Sequence, residues 1–127
     1  MESIQMEATN STPTINANAE TGLVEIRGKS YPENTFEFYQ PLMDWIESFF
    51  KTDKAGMTVT FEIQYFNSST SKVFYDIFDI LEDARDKEKK IVVNWEYDPE
   101  NVSAEEAGED FQEDFESMEI NLVAKED

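Results

Sequence analysis

The stretch Met57-Thr58-Val59-Thr60-Phe61-Glu62-Ile63-Gln64-Tyr65-Phe66 alternates apolar and polar side chains from residue 57 to residue 65, and Asn67-Ser68-Ser69-Thr70-Ser71-Lys72 follows it directly. A period of two predicts a strand with Met57, Val59, Phe61, Ile63 and Tyr65 on one face. Thr58, Thr60, Glu62 and Gln64 then share the other face. Beyond the hydroxyl-rich segment the period changes. Val73, Ile77, Ile80, Leu81 and Ala84 form one stripe of a helix over residues 71–87, with Glu82, Asp83, Arg85 and Asp86 outside it. Residues 91–97 return to alternation, with Ile91, Val93, Trp95 and Tyr97 on one face.

The same reading extends to both ends. Upstream, residues 23–27 read as a short strand punctuated by Gly22 and Gly28. Tyr39, Leu42, Met43, Ile46, Phe49 and Phe50 recur at helical spacing. Pro41 complicates that helix, which predicts a loose first turn from residue 35 and a regular helix from 40 to about 51. Asn34 with Glu37 resembles a capping box. Downstream, Ser103 with Glu106 forms a capping box for an acidic helix whose stripe is Ala104, Ala107, Phe111 and Phe115. Gly108 weakens that helix by ~1 kcal/mol relative to alanine. Met118, Ile120 and Leu122 suggest a last strand, and a short strand begins near residues 12–15. Residues 1–12 are polar and read as a flexible tail, leaving 13–127 as a single domain.

Strands alternating with helices predict right-handed parallel crossovers and an α/β fold. Because the strands alternate rather than running continuously apolar, the helices should cover mainly one face of a mixed sheet of about four to five strands.

Composition narrows the function. The 127 residues include no Cys and no His, which removes disulfide frameworks, Cys/His zinc sites, cysteine nucleophiles and histidine acid–base catalysis. Four glycines leave no phosphate-cradling loop, and no GxGxxG, GxxxxGK[ST] or GxSxG motif occurs. Ser69-Thr70-Ser71-Lys72 matches an SxxK pattern, but no second signature accompanies it. The acidic run from Asp98 to Asp110 lacks the ligand spacing of a calcium loop. An enzyme, a metal site and a cofactor are therefore not expected. With 29 acidic and 10 basic residues the formal charge is −19. That charge disfavours nucleic acid and anionic membranes and favours either plain solubility or basic protein partners. No apolar run approaches the ~20 residues of a membrane span, and the first residues do not form a secretory signal, so a cytoplasmic location is expected.

Ser68, Ser69, Thr70 and Ser71 stand between a strand and a helix. Ordinary helix capping accounts for one of these hydroxyls; four is an excess. A phosphate there would add about −1.5 to −2 charges beside a helix N-terminus, enough to block or recruit a partner. Asn67, Ser71 and Lys72 flank the acceptor. Phe38, Trp45 and Phe74 or Phe78 fall off the main stripes and are candidates for exposed anchors.

Several motifs occur in a telling order: Ser30-Tyr31-Pro32-Glu33-Asn34, Trp45, Tyr65-Phe66-Asn67-Ser68-Ser69-Thr70-Ser71-Lys72, Asn94-Trp95-Glu96-Tyr97-Asp98, and Gly108-Glu109-Asp110-Phe111. Together they resemble the SiaC-like regulatory phosphoproteins, a divergent branch related to STAS-domain anti-sigma factor antagonists. The resemblance spans about residues 12–122. It implies a STAS-like fold and a bacterial partner switch. In such a switch a GHKL-type Ser/Thr kinase modifies a hydroxyl after the central strand and a PP2C-type phosphatase reverses it. The unphosphorylated form binds an output protein such as a diguanylate cyclase or an anti-sigma factor. Matching the asparagine places the acceptor at Ser68; matching the broader Asp-Ser-Ser pattern places it at Ser69, with Thr70 third. Tyr31 and Asn34 join the partner-binding candidates through the same motifs. The alternative is a constitutive acidic adaptor with no phosphorylation switch.

Overall fold

A computed structural model describes residues 1–54 and 56–125. The elements are β1 (Ile4–Met6), β2 (Thr14–Ala17), β3 (Leu23–Ser30), α1 (Thr35–Phe49), β4 (Gly56–Phe66), α2 (Ser68–Asp86), β5 (Lys90–Tyr97), α3 (Val102–Asp114) and β6 (Glu119–Ala124). They build a six-stranded sheet in sequential order. β1, β2 and β3 pair antiparallel; β3, β4, β5 and β6 pair parallel. Three successive β-α-β crossovers that all step the same way put all three helices on one side of the sheet.

The fold is the expected mixed α/β sheet with helices on one face, carrying one or two more strands than the four to five anticipated. One extra strand, β1, lies inside the stretch read as a flexible tail. It is held by its pairing with β2 and by the Trp45 Nε1–H, which donates to the Glu2 carbonyl at 2.7 Å. A three-residue strand carries too weak a pattern to be read from sequence.

Local differences have simple causes. α1 is helical from Thr35 with Pro41 inside it; Pro41 is exposed, so the bond it cannot make is lost on the solvent side. The Asn34 side chain makes no capping bond. At α3 the cap is Asn101, whose Oδ1 accepts the Ala104 N–H at 3.1 Å, in place of Ser103. Gly108 weakens the helix for a packing reason. A Cβ there would lie 2.5 Å from Leu122 Cδ2 and 2.7 Å from Trp95 Cδ1.

The core lies between sheet and helices. Val24, Ile26, Val59, Phe61, Ile63, Val93 and Trp95 point down from the strands; Leu42, Ile46, Ile77, Phe78, Leu81 and Phe111 rise from the helices. Trp95 is fully buried, and its Nε1–H donates to the Ala104 carbonyl at 2.9 Å, which satisfies its one polar atom.

The opposite face of the sheet bears Arg27 at its centre. Its guanidinium donates at 2.7 Å to each of Glu25, Glu62 and Glu96, and Lys125 adds a bond to Glu62 at 3.1 Å. For Glu62, partial burial pulls the carboxyl upward, but the bonds from Arg27 and Lys125 outweigh it and hold the group below its ordinary range. A depressed carboxyl stabilises the fold above its unfolded pKa, and that contribution disappears as pH falls through the folded value. Arg27→Met should therefore cost about 1–2 kcal/mol at pH 7, a figure reduced by the solvent that still reaches Arg27. Urea unfolding at pH 7 and at pH 3 checks this: the gap between the two proteins should close at the lower pH.

Candidate functional site

The strand–helix junction of the hydroxyl segment is shaped by an irregularity in β4. The β3–β4 register runs Gly28 to Ile63 and then Lys29 to Tyr65, leaving Gln64 as the extra residue of a bulge. Gly28 sits opposite with φ of 130°, a conformation glycine adopts without strain. One extra residue reverses the faces of everything beyond it. Phe66, not Tyr65, turns inward and packs on Phe74 at 5.4 Å and Trp95 at 6.1 Å. Tyr65 turns outward, 55% exposed, and meets Tyr31, 41% exposed, edge-on at 5.9 Å. The expectation that Tyr65 shares the buried face is thus corrected by the bulge.

α2 begins at Ser68, three residues earlier than the periodicity predicts. Its cap is Asn67, whose Oδ1 accepts the Thr70 N–H at 2.9 Å. The capping duty that could have explained a serine hydroxyl is therefore carried by an asparagine. Ser68 and Ser69 occupy the first turn, both exposed; Ser71 is half-buried and Lys72 is exposed, one turn beyond Ser68.

Thr70 is different. It is fully buried, and its hydroxyl donates to the Ser30 carbonyl at 3.1 Å. Having one hydrogen, it must accept at its oxygen from Ser30 Oγ, 2.9 Å away. Ser30 Oγ, its own hydrogen spent, must accept from Tyr39 Oη at 2.6 Å. Burial pushes the Tyr39 phenol well above its ordinary value, more than the Ser30 bond lowers it, so it remains a donor. The Ser30 carbonyl also accepts the Asn67 N–H at 3.1 Å. Ser30 thus pins the end of β3 to α1, to the cap and to α2. In this geometry the Thr70 hydroxyl is buried and hydrogen-bonded on both sides, unlike the exposed Ser68 and Ser69.

The expected anchors divide sharply. Phe74 is fully buried between sheet and helices, Phe78 likewise, and Trp45 is buried in a stack on Phe49 at 5.4 Å. None is available to a partner; an aromatic off the main helical stripe is still core when a sheet wraps around it. Phe38 is half-buried, packed edge-on against Tyr39 at 4.8 Å, and Asn34 is exposed. The exposed aromatic that the pattern did not reveal is Phe36, at 57% the most open of the aromatic rings. A shallow groove of about 340 Å³ between the first turns of α1 and α2 is lined by Thr35, Phe36, Ser69, Lys72 and Asp76. Phe36 thus shares a groove with Ser69, while Tyr65, two residues before Asn67, pairs with Tyr31. The glycine inside β3 was the one sequence signal of the bulge that exposes Tyr65.

A SiaC family model, described as a regulatory phosphoprotein, matches residues 6–125. The chain belongs to the SiaC family. Members are regulatory phosphoproteins rather than enzymes. Among solved structures, apo-SiaC from Pseudomonas aeruginosa is similar with a TM-score of 0.92 and 32% identity, over 98% of this chain and 100% of that one. A chain in the crystal structure of the diguanylate cyclase SiaD in complex with its activator SiaC, from the same organism, is similar with a TM-score of 0.91 and 31% identity, over 96% and 99%. An uncharacterised protein of Pseudomonas aeruginosa strain UCBPP-PA14 is 32% identical over 114 residues, 90% of each chain. Among the described residues, no helix is long and apolar enough to cross a membrane and no cluster of acidic side chains could hold a metal ion.

Proposed function

We propose that this SiaC family member is a phosphorylation-switched binding protein whose unphosphorylated form engages an output protein, a diguanylate cyclase by analogy with the SiaC–SiaD pair. The observation that carries the proposal is the junction itself. Asn67 takes the cap, so the Ser68 and Ser69 hydroxyls face solvent, and Ser69 shares a groove with the exposed Phe36. Ser68 is the first candidate acceptor and Ser69 the second. A GHKL-type kinase adds the phosphate and a PP2C-type phosphatase removes it, in a cytoplasmic partner-switching cycle of the kind used by STAS-like anti-sigma factor antagonists. Phe36, Tyr31 and Tyr65, with Asn34, Phe38, Asn67, Ser71 and Lys72 around them, form the docking surface. A phosphate dianion there desolvates poorly against apolar partner groups and repels acidic ones.

The test joins chemistry to binding. Incubation with a GHKL-type kinase from the same genome and ATP should add one phosphate, mapped by peptide mass spectrometry to Ser68 or Ser69. Ser68→Ala/Ser69→Ala should remove it. The phosphorylated protein should bind its cyclase partner at least about tenfold more weakly, since like charge or a desolvated dianion at an interface costs several kcal/mol. Unaltered affinity after stoichiometric phosphorylation would overturn the switch.

A second reading is a constitutive acidic adaptor, favoured by the region from residue 91 to 124, which includes α3 and carries no Lys or Arg. It expects Ser68→Glu and Ser69→Glu to leave partner affinity unchanged.

A further inference from the structure

The buried hydroxyls beneath the acceptor segment do more than satisfy one another. Their three protons have one consistent arrangement: Tyr39 donates to Ser30 Oγ, Ser30 donates to Thr70 Oγ1, and Thr70 donates to the Ser30 carbonyl. The chain of bonds starts on α1, passes through the end of β3 to the first turn of α2 and closes on the Ser30 carbonyl. Thr70 sits two residues from Ser68, and its N–H is the one held by the Asn67 cap. Tyr39 sits one turn from Phe36 on α1 and packs edge-on against both Phe38 and Phe74. No buried side-chain polar atom lacks a partner among the described residues, so the network has no slack.

We propose that the Ser30–Tyr39–Thr70 network couples the phosphorylation state of Ser68 to the position of the α1 first turn, and so to the Phe36 part of the docking surface. The inference rests on the switch reading above and adds the route by which the switch acts. A phosphate on Ser68 lies within the turn whose free N–H groups attract anions. It competes with Asn67 Oδ1 for the Thr70 N–H. Any shift of the Thr70 backbone moves the Thr70 hydroxyl, which cannot leave Ser30 without stranding its own proton, given to the Ser30 carbonyl, and the Ser30 hydroxyl proton, which it accepts. Ser30 in turn cannot move without releasing Tyr39. A fully satisfied buried network transmits such a displacement because each half-broken arrangement leaves an unpaired polar atom out of reach of water. Side chains in the shared groove also sense the phosphate directly through space, and the test must separate the two routes.

Phosphoserine is placed at position 68 by genetic encoding, so no kinase is needed. Backbone amide resonances of the unmodified and phosphorylated proteins are compared in four backgrounds: wild type, Tyr39→Phe, Thr70→Val and Thr70→Ser. The expected result is a shift of the residue 35–39 amides on phosphorylation in wild type. Tyr39→Phe and Thr70→Val, each folded as judged by the remaining amides, should lose most of that shift while keeping the shifts of residues 67–72. Thr70→Ser, which restores the hydroxyl, should restore it. Residue 35–39 shifts of undiminished size in Tyr39→Phe would show through-space action alone and overturn the coupling, as would residues 35–39 that never shift in wild type. If cyclase binding is also insensitive to phosphoserine at 68, the switch reading fails separately; if binding responds but the relay variants behave as wild type, only the relay fails.

Discussion

Replacing Phe74 with alanine is expected to lower the unfolding free energy by about 3–5 kcal/mol, as for other fully buried phenylalanines, and not to act as an interface mutation. Phe74 makes ring contacts with Phe61 at 5.0 Å, Phe66 at 5.4 Å, Tyr39 at 5.8 Å and Trp95 at 6.4 Å. These neighbours come from β4, β5 and α1, so the site cannot collapse around the void without moving the sheet. Urea denaturation monitored by tryptophan fluorescence measures the loss directly. The contrast is Phe36→Ala. Phe36 is largely open to solvent, and its truncation should change stability by no more than about 0.5 kcal/mol while weakening the partner. A Phe74→Ala protein of wild-type stability would contradict the burial of this ring in the core.

Thr70→Val should cost about 1–3 kcal/mol without creating a cavity, because valine has nearly the shape of threonine and the whole effect is one lost hydroxyl. The Ser30 proton loses its acceptor, and the Ser30 carbonyl keeps only the Asn67 N–H. Thr70→Ser, which keeps the oxygen and loses a methyl group, should recover most of the loss. Chemical denaturation of the three proteins at pH 7 gives the ordering wild type, Ser, Val. The result matters for mapping the acceptor. A triple alanine variant spanning Ser68, Ser69 and Thr70 would confound a lost phosphorylation site with a damaged helix start, so the acceptor should be sought with Ser68 and Ser69 alone.

Much of the fold is legible in the chain because most of its strands have one face against helices and one open face. Alternation at residues 57–63 and 91–95 reports that asymmetry directly, and the 3.6-residue stripes of α1 and α2 report the layer above. The hydroxyl segment was legible as a functional candidate from its place after the central strand and from the motifs around it. What escaped the reading depends on contacts remote in sequence. Tyr65 breaks the alternation because a bulge opposite Gly28 inserts one residue. Trp45 and Phe74 lie off the expected stripes yet are buried, Trp45 against Phe49 with its indole bonded to Glu2, Phe74 against Phe61 and Trp95 of the sheet and Tyr39 of α1.

The sequence by itself determined the layer architecture, the absence of Cys- and His-based chemistry and the place of the hydroxyl cluster between the central strand and α2. These follow from composition and local periodicity, which every residue carries with it. Only the tertiary structure decided which of the three ranked hydroxyls is withdrawn and which aromatics reach solvent. Thr70 is sequestered by a serine forty residues away and a tyrosine on another helix. Exposure and hydrogen-bond partnership belong to groups brought together by folding, and no pattern within six residues contains them.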